Sequence, residues 1–452
     1  MGNVKQARGA LGAALLAGAL AASAGGPALA DVTVYDQGGV KLDVGVTAGT
    51  GVFHVGDTYF GAGVAKPNGV GVDRDRTWAE GFVAPSALLT IDTGVAGSLY
   101  GGVRIVGAGN TSPGDAGGFV QGSQGKFTVD HAYAGWRSGK LFGGLGEDVL
   151  DLSFGRQPFT IGDGFLIADG NFEAGREGAY WLAPRNGWQP AAIARIKVDP
   201  VSVDLFRLKS DRDSGSDVIY GVNLDWKSGA EGKNVVGGSV MRIDESNIPT
   251  RDGLKIFSVR AQGNFIPAVS DLFLAGEFVT QHNDRAGADV DARAWYGEAA
   301  YTLSSVTWTP KFGYRYSHFS GDKPGTAKSE AYDPLHYGMA RGWGTWFQGE
   351  LTGQYYLGNS NLNVHTISAS VQPTASVTLS ALYYVFNFDR TPVGLTDKHF
   401  GNELNLIADW AATENLSISG VFGWLRPGEG GKQLFGRDKD TTLFEVIALA
   451  KF

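Results

Sequence analysis

This sequence predicts an all-β fold, a transmembrane antiparallel β-barrel of about eighteen strands, with sixteen as the alternative count. Three observations predict it. First, the last stretch, Thr441 to Phe452, reads TTLFEVIALAKF. Side chains alternate faces along a strand, so Phe444, Val446, Ala448, Ala450 and Phe452 share one apolar face, and Glu445 and Lys451 lie on the other. Second, the chain has 68 Gly, 12% aromatic residues and no Cys. Its glycines have no three-residue period, which excludes collagen, and this aromatic content excludes a disordered chain. Third, no segment after residue 30 holds ~18 consecutive apolar residues. A barrel needs none, because it crosses with strands of ~9–11 residues whose outer face alone is apolar.

The first thirty residues read as a secretory signal peptide. Lys5 and Arg8 form a positive start, an apolar run follows from Gly9 to Ala22, and Pro27-Ala28-Leu29-Ala30 offers a small-x-small cleavage site. The expected organisation is therefore a cleaved leader at 1–30 and one barrel over 31–452. Losing the leader takes the formal net charge from -8 to -10. That balance excludes nucleic acid as a partner. The lack of cysteine fits an exported protein that uses no disulfide.

The strands then follow in order. Val40, Leu42, Val44 and Val46 alternate with Lys41, Asp43, Gly45 and Thr47. His54 to Asp75 is a glycine-rich loop or frayed strand. Val83–Ile91 and Val95–Val106 flank the tight turn Asp92-Thr93-Gly94, with Leu99, Val103 and Ile105 opposite Tyr100 and Arg104. Gly107 to Gly125 is a loop. Val129–Arg137 and Leu150–Gln157 continue the series. Ala191–Asp199 sets Ala192, Ala194, Ile196 and Val198 against Arg195, Lys197 and Asp199, and Pro200 turns the chain into Val201–Leu208. Val218–Trp226, Val235–Ile243 and Ile256–Phe265 follow, with Arg260 and Gln262 opposing Val259, Ala261 and Phe265. Leu272–Val279 and Ala294–Leu303 carry Glu277 and Glu298 on their polar faces. In Trp308–Tyr316, Lys311 and Arg315 oppose Phe312, Tyr314 and Tyr316. Thr345–Leu357, Val364–Val371, Val377–Phe388, Asn402–Ala411 and Leu416–Trp424 precede the final strand. One conflict arises. If Ser317–Gly342 and Asp389–Phe400 are both external loops, an even number of strands must separate them, yet three are expected there.

Trp181, Trp188, Trp226, Trp295, Trp308, Trp343, Trp346, Trp410 and Trp424 fall near strand ends and read as an interfacial girdle. A barrel of about sixteen strands or more is too wide for side chains to fill, so its inward residues decide what passes. The expected pore-lining set is Arg104, Arg156, Arg195, Lys197, Arg260, Lys311, Arg315, Glu277, Glu298, Glu350, Glu403 and Asp409. Fixed cations favour anions and carboxylates favour cations; the plainer reading is that these charges pair with one another. No enzyme is expected. The histidines are scattered, no zinc spacing occurs, and the one Ser/His grouping is His318 with Ser317 and Ser320. No cofactor is implied.

Two stretches carry a resemblance. One is LSFGRQPFTIGDGFLIADGNF, Leu152 to Phe172. The other begins at Phe312 with FGYRYSHFSGD and continues through YDPLHYG, GWGTWFQGE, NLNVHTISASVQPTASVTLSALYYVFNFD and ELNLIADWAATENLSISGVFGWLRPGEG. Together they resemble the alginate export family of outer-membrane barrels. The closing amphipathic strand, ending in Phe452, is similar to the terminal assembly signal of such barrels. The resemblance implies a large monomeric barrel in the bacterial outer membrane, in contact with lipid. It would pass an anionic polysaccharide or a smaller anionic solute through an electropositive, loop-covered lumen, with a periplasmic export scaffold as partner. It also carries Arg156 into the pore-lining set, although parity with Leu152 and Phe154 points Arg156 outward unless the strand bulges or the chain folds inward at Pro158. The alternative is a general or substrate-selective uptake porin of the same fold.

Overall fold

The computed structural model describes residues 32–452 except 172–175, 177, 183, 230, 231, 286, 288, 339, 340 and 347. The expected leader at 1–30 lies outside the described residues. The strands are β1 (Val32–Gln37), β2 (Val40–Gly56), a two-residue pair β3 (Val64–Ala65) and β4 (Val72–Asp73), β5 (Arg76–Asp92), β6 (Ser98–Asn110), β7 (Gln124–Arg137), β8 (Leu150–Gln157), β9 (Trp188–Val198), β10 (Val201–Lys209) and β11 (Val218–Ser228). They continue with β12 (Asn234–Glu245), β13 (Lys255–Gly263), β14 (Leu272–Asn283), β15 (Val290–Thr302), β16 (Lys311–Phe319), β17 (Leu362–Thr374), β18 (Val377–Phe388), β19 (His399–Ala411), β20 (Leu416–Pro427) and β21 (Thr441–Lys451).

Each strand from β6 to β21 pairs antiparallel with its predecessor, and β2 pairs with both β5 and β21. The sheet therefore closes into an 18-stranded barrel, which leaves no sheet edge to be satisfied in lipid. At the seam, Val46 and Phe452 exchange backbone hydrogen bonds of 2.8 and 2.9 Å. β1 folds back on the first residues of β2 and extends the rim. The final strand alternates as its sequence requires: Phe444 and Val446 are exposed, Glu445 and Ile447 buried.

Connections at one end are short, as at 199–200, 375–376 and 412–415. At the other end they reach 57–75, 158–187 and 320–361. Outer-membrane barrels carry short turns in the periplasm and long loops outside, which orients the molecule. The two longest loops fold into the barrel and share a core. Phe165 packs against Trp346 at 4.5 Å and Tyr296 at 5.4 Å between ring centroids, and Gly338 N–H donates to the Gly164 carbonyl at 2.9 Å.

Three expectations need correction. Thr345–Leu357 is not a strand. β16 pairs directly with β17, and Gly349–Tyr356 forms a wide helical turn buried on every side. Positive φ at Gly342, Gly344, Trp346 and Gly349 breaks any strand there. Two strands, an even number, then separate the two external loops, and the conflict in the count disappears. Secondly, Ser317–Phe319 belong to β16 and Gly107–Asn110 to β6, so the loops run over 320–361 and 111–123. Thirdly, the tryptophans divide. Trp226, Trp295, Trp308 and Trp410 are exposed at the barrel exterior, whereas Trp181, Trp188 and Trp346 are buried inside it.

Candidate functional site

The interior has two unlike walls. One runs from β7 to β16 and carries opposed charges in register. Asp151 faces Arg195 across β8 and β9, Arg195 faces Asp204, Arg260 faces Glu277, and Glu298 faces Arg315. These side chains all lie on inward positions, because period two sends their neighbours Ile196, Val259 and Tyr314 to the exposed outer face. The other wall, β17 to β21 with β2 and β5, is dry at its external half. Val364, Tyr384, Phe386, Leu425, Leu443, Phe53 and Trp78 are all buried there beneath the infolded loops.

Each arginine on the charged wall meets an acid. On the adjoining strand β6, Arg104 Nε donates to Asp130 of β7 at 2.8 Å. Arg195 stands 3.3 Å from Asp204, with its guanidinium over the Phe159 ring. Arg260 lies 2.5 Å from Asp225 and donates to Ser239 at 3.1 Å. Arg315 is 3.8 Å from Glu298 and sits over Trp346. Glu277 accepts from Ser258. Lys311 lies over the Phe273 ring, and Lys197, among the described residues, makes no ion pair. Both lysines stand near the periplasmic ends of their strands.

Arg156 is placed by the bulge its parity requires. The β8–β9 register shifts between Gly155 and Gln157. Gly155 has φ +126°, and a Cβ there would come within 2.4 Å of the Ala132 carbonyl oxygen, so only glycine fits. Arg156 then reaches Asp211 at 3.0 Å in the external loop after β10.

Three carboxylates of the expected set serve the loops instead of an open surface. Glu403, fully buried on β19, accepts the backbone N–H groups of Leu351 and Thr352, each at 2.8 Å. Asp409 accepts from Trp343 Nε1 at 3.2 Å and from Ser419 Oγ at 2.5 Å. Glu350 lies on the infolded turn itself, not on a strand, and its carboxylate oxygens meet no hydrogen-bond partner among the described residues. Burial, with Glu445 and Glu403 close by, pushes its carboxyl well up, which favours the neutral form.

The arrangement also contains residues that strand periodicity did not single out. Asp204 and Asp225 occupy the same inward parity as their partners and were legible in the pattern. Asp163 and Arg341 were not, because they sit on loops, where period two says nothing. Arg341 makes a two-pronged contact with Glu298 at 2.9 and 2.8 Å and also reaches Asp163 at 3.0 Å. Two residues on, Trp343 is fastened to Asp409 on the opposite wall. The segment Arg341–Trp343 is therefore a bar tied at both ends, to β15 and to β19, four strands apart in the barrel. Glu80 on β5 and Asp130 on β7 hold the other loop in the same way. Glu80 takes the N–H groups of Trp181 and Leu182 at 2.7 and 2.8 Å, and Asp130 those of Asn186 and Gly187 at 2.9 and 3.1 Å.

No catalytic group assembles from the one Ser/His cluster. Ser317 points inward and is buried, while His318 points outward and bonds to Asn363 at 2.7 Å. Asp163 is engaged by Arg341 and Tyr296.

Comparisons with known proteins agree with this geometry. The family model described as alginate export matches residues 124–432. Among solved structures, Pseudomonas aeruginosa OpdQ is similar at TM-score 0.58 and 12% identity, covering 91% of this chain and 97% of that one. P. aeruginosa OpdR (OccK11) is similar at TM-score 0.55 and 11% identity, covering 90% and 96%. P. aeruginosa OpdK, solved with vanillate, is similar at TM-score 0.55 and 9% identity, covering 91% and 98%. At such identities the likeness is one of fold. No curated protein sequence matches the chain.

Proposed function

The chain belongs to the alginate export family, and from that premise we propose that it passes an anionic polysaccharide such as alginate, or a related anionic solute, through its charged interior under the control of its infolded loops. Family and fold together make it an outer-membrane channel of bacteria, with its exterior in lipid. The finer reading has residues 1–30 removed on export and 31–452 forming the working barrel. Its substrate path follows the wall from β7 to β16 and the adjoining β6, with Arg104, Arg156, Arg195, Arg260 and Arg315 as anion contacts. The observation that carries it is the partial exposure of this part of the interior: the Arg195 side chain is 38% accessible and that of Arg104 23%, whereas Arg260 and Arg315 are buried beside their acids and would need a loop to move. Lys197 and Lys311 add positive charge near the periplasmic mouth, where an exported polymer would enter. A guanidinium already held by one carboxylate can exchange it for a sugar carboxylate of the same geometry, so a moving polymer meets a series of weak, replaceable sites. The Arg341–Trp343 bar is the gate.

A second reading, a general or substrate-selective uptake porin, is favoured by the same pairing. An interior whose arginines are all matched by acids has little net field. Planar-bilayer recording separates the two. Anion-selective reversal potentials in a salt gradient, with block by polymannuronate, support the polysaccharide channel. Replacing Arg195, Arg260 and Arg315 together by Ala should abolish both. Conductance without selectivity or block would favour the uptake porin.

A further inference from the structure

The lipid-facing exterior carries a feature that transport does not use. Strand register places Arg207, Tyr220, Arg242, Lys255 and His282 directly opposite one another on five consecutive strands, β10 to β14. All lie on outward positions, near the external strand ends. The adjoining row, one side-chain pair nearer the membrane centre, is Leu205, Val222, Val240 and Phe257, closed by Thr280. The four apolar members of this row are exposed. The change from apolar to basic thus falls between two neighbouring rows, about 7 Å apart along the strand. Arginine and lysine are disfavoured on the lipid face at the bilayer midplane and tolerated near its interfaces, so these basic side chains belong to the headgroup region of the outer leaflet.

The surface below the row is concave. A groove of about 1280 Å³ runs along the outer wall, with Leu152, Phe154, Leu205, Val222, Val240 and Phe257 among its lining and Arg207, Arg242, Lys255 and His282 at its rim. The acids near the rim lie at its ends or on its far side from the membrane. Asp244 approaches Arg242 at 3.3 Å, Asp284 approaches Lys255 at 3.5 Å, and Asp291 closes the row beyond His282. Arg207 donates to the Tyr220 hydroxyl at 3.2 Å. Facing the bilayer, the row offers guanidinium, hydroxyl, guanidinium, ammonium and imidazole groups in sequence, above space for acyl chains.

We propose that this groove and its basic row bind a phosphate-bearing, multi-acyl lipid of the outer leaflet, the lipid A class. Acyl chains would fill the groove while the phosphates take the Arg207, Arg242 and Lys255 donors. A second copy of the chain is the poorer occupant, because a two-fold contact would set the basic row against itself.

Native mass spectrometry of the exported protein in non-ionic detergent tests this, with diphosphoryl lipid A, its dephosphorylated form and phosphatidylcholine as probes. Diphosphoryl lipid A should be retained at least about tenfold better than either other lipid. The combined variant Arg207→Gln, Arg242→Gln, Lys255→Gln should lose that advantage, with channel conductance unchanged and heat-dependent gel mobility reporting an intact barrel. Equal retention by the variant, equal retention of the dephosphorylated lipid, or a lipid-free dimer through this face overturns the proposal. If the variant does not assemble, the wild-type protein decides it. Preference for the diphosphoryl form should fall as salt rises, and a preference indifferent to salt overturns it.

Discussion

The two interior walls use the same residue types to opposite ends. On the wall from β7 to β16, carboxylates face arginines across strands, and several of these groups keep contact with water. On the wall formed by β17 to β21, β2 and β5, carboxylates face the backbone of infolded loops and are dry. A buried N–H group without a partner costs about 1–3 kcal/mol, so a strand carboxylate that takes two such groups acts as a peg. Glu403 and Glu80 are pegs of this kind. An inward acid is thus not by itself a pore charge. What it faces decides whether it filters solute or holds the gate.

The largest expected break comes from removing a peg. Glu403→Leu leaves the Leu351 and Thr352 N–H groups buried and unsatisfied, so the turn 349–356 should detach. Hydrogen exchange at those amides should rise at least tenfold and single-channel conductance should increase; unchanged exchange would deny the peg its role.

Arg341→Ala cuts the bar at the charged wall and leaves Glu298 and Asp163 without it. The channel should open more often and shift toward cation selectivity, read as a displaced reversal potential. Unchanged gating would mean the bar is held elsewhere.

A pair of identical substitutions sharpens the contrast. Glu298→Gln removes a charge bonded twice by Arg341 and should weaken gating as Arg341→Ala does. Glu350→Gln replaces a carboxyl whose neutral form its burial favours, so thermal stability and conductance should stay near wild type. A large loss from Glu350→Gln would show that this group is ionised after all.

The smallest effect concerns the external loop 111–123. Asp115 accepts the N–H groups of Gly117 at 2.7 Å and Val120 at 2.5 Å. Burial pushes its carboxyl up to about 6, against 3.8 unperturbed, with those N–H groups pulling the other way. A carboxyl raised on folding supports the folded loop below pH ~4, and that support is lost as pH rises through about 6. Limited proteolysis of the loop should therefore be slower at pH 5 than at pH 7.5, and Asp115→Asn should flatten the difference.

The barrel was legible in the sequence because its strands obey a local rule. Alternation at Val40–Val46, Ala191–Asp199 and Thr441–Phe452 needs no knowledge of distant residues, and it put Arg195, Arg260, Arg315 and Glu298 on the inward face. Even the bulge at Gly155 could be inferred from the parity of Arg156. Thr345–Leu357 misled because an infolded loop is apolar on all sides for its own reasons, and a short apolar run looks alike whether it pairs in a sheet or packs inside one. Sequence by itself determined the all-β architecture and which strand side chains face inward, since both follow from a two-residue period. Only tertiary structure decided which inward charges meet water, which hold the loops, and that Arg341 and Trp343 tie one loop segment to β15 and β19. Those outcomes depend on contacts between residues far apart in the chain, Arg341 with Glu298 and Glu403 with Leu351, and no local period encodes them.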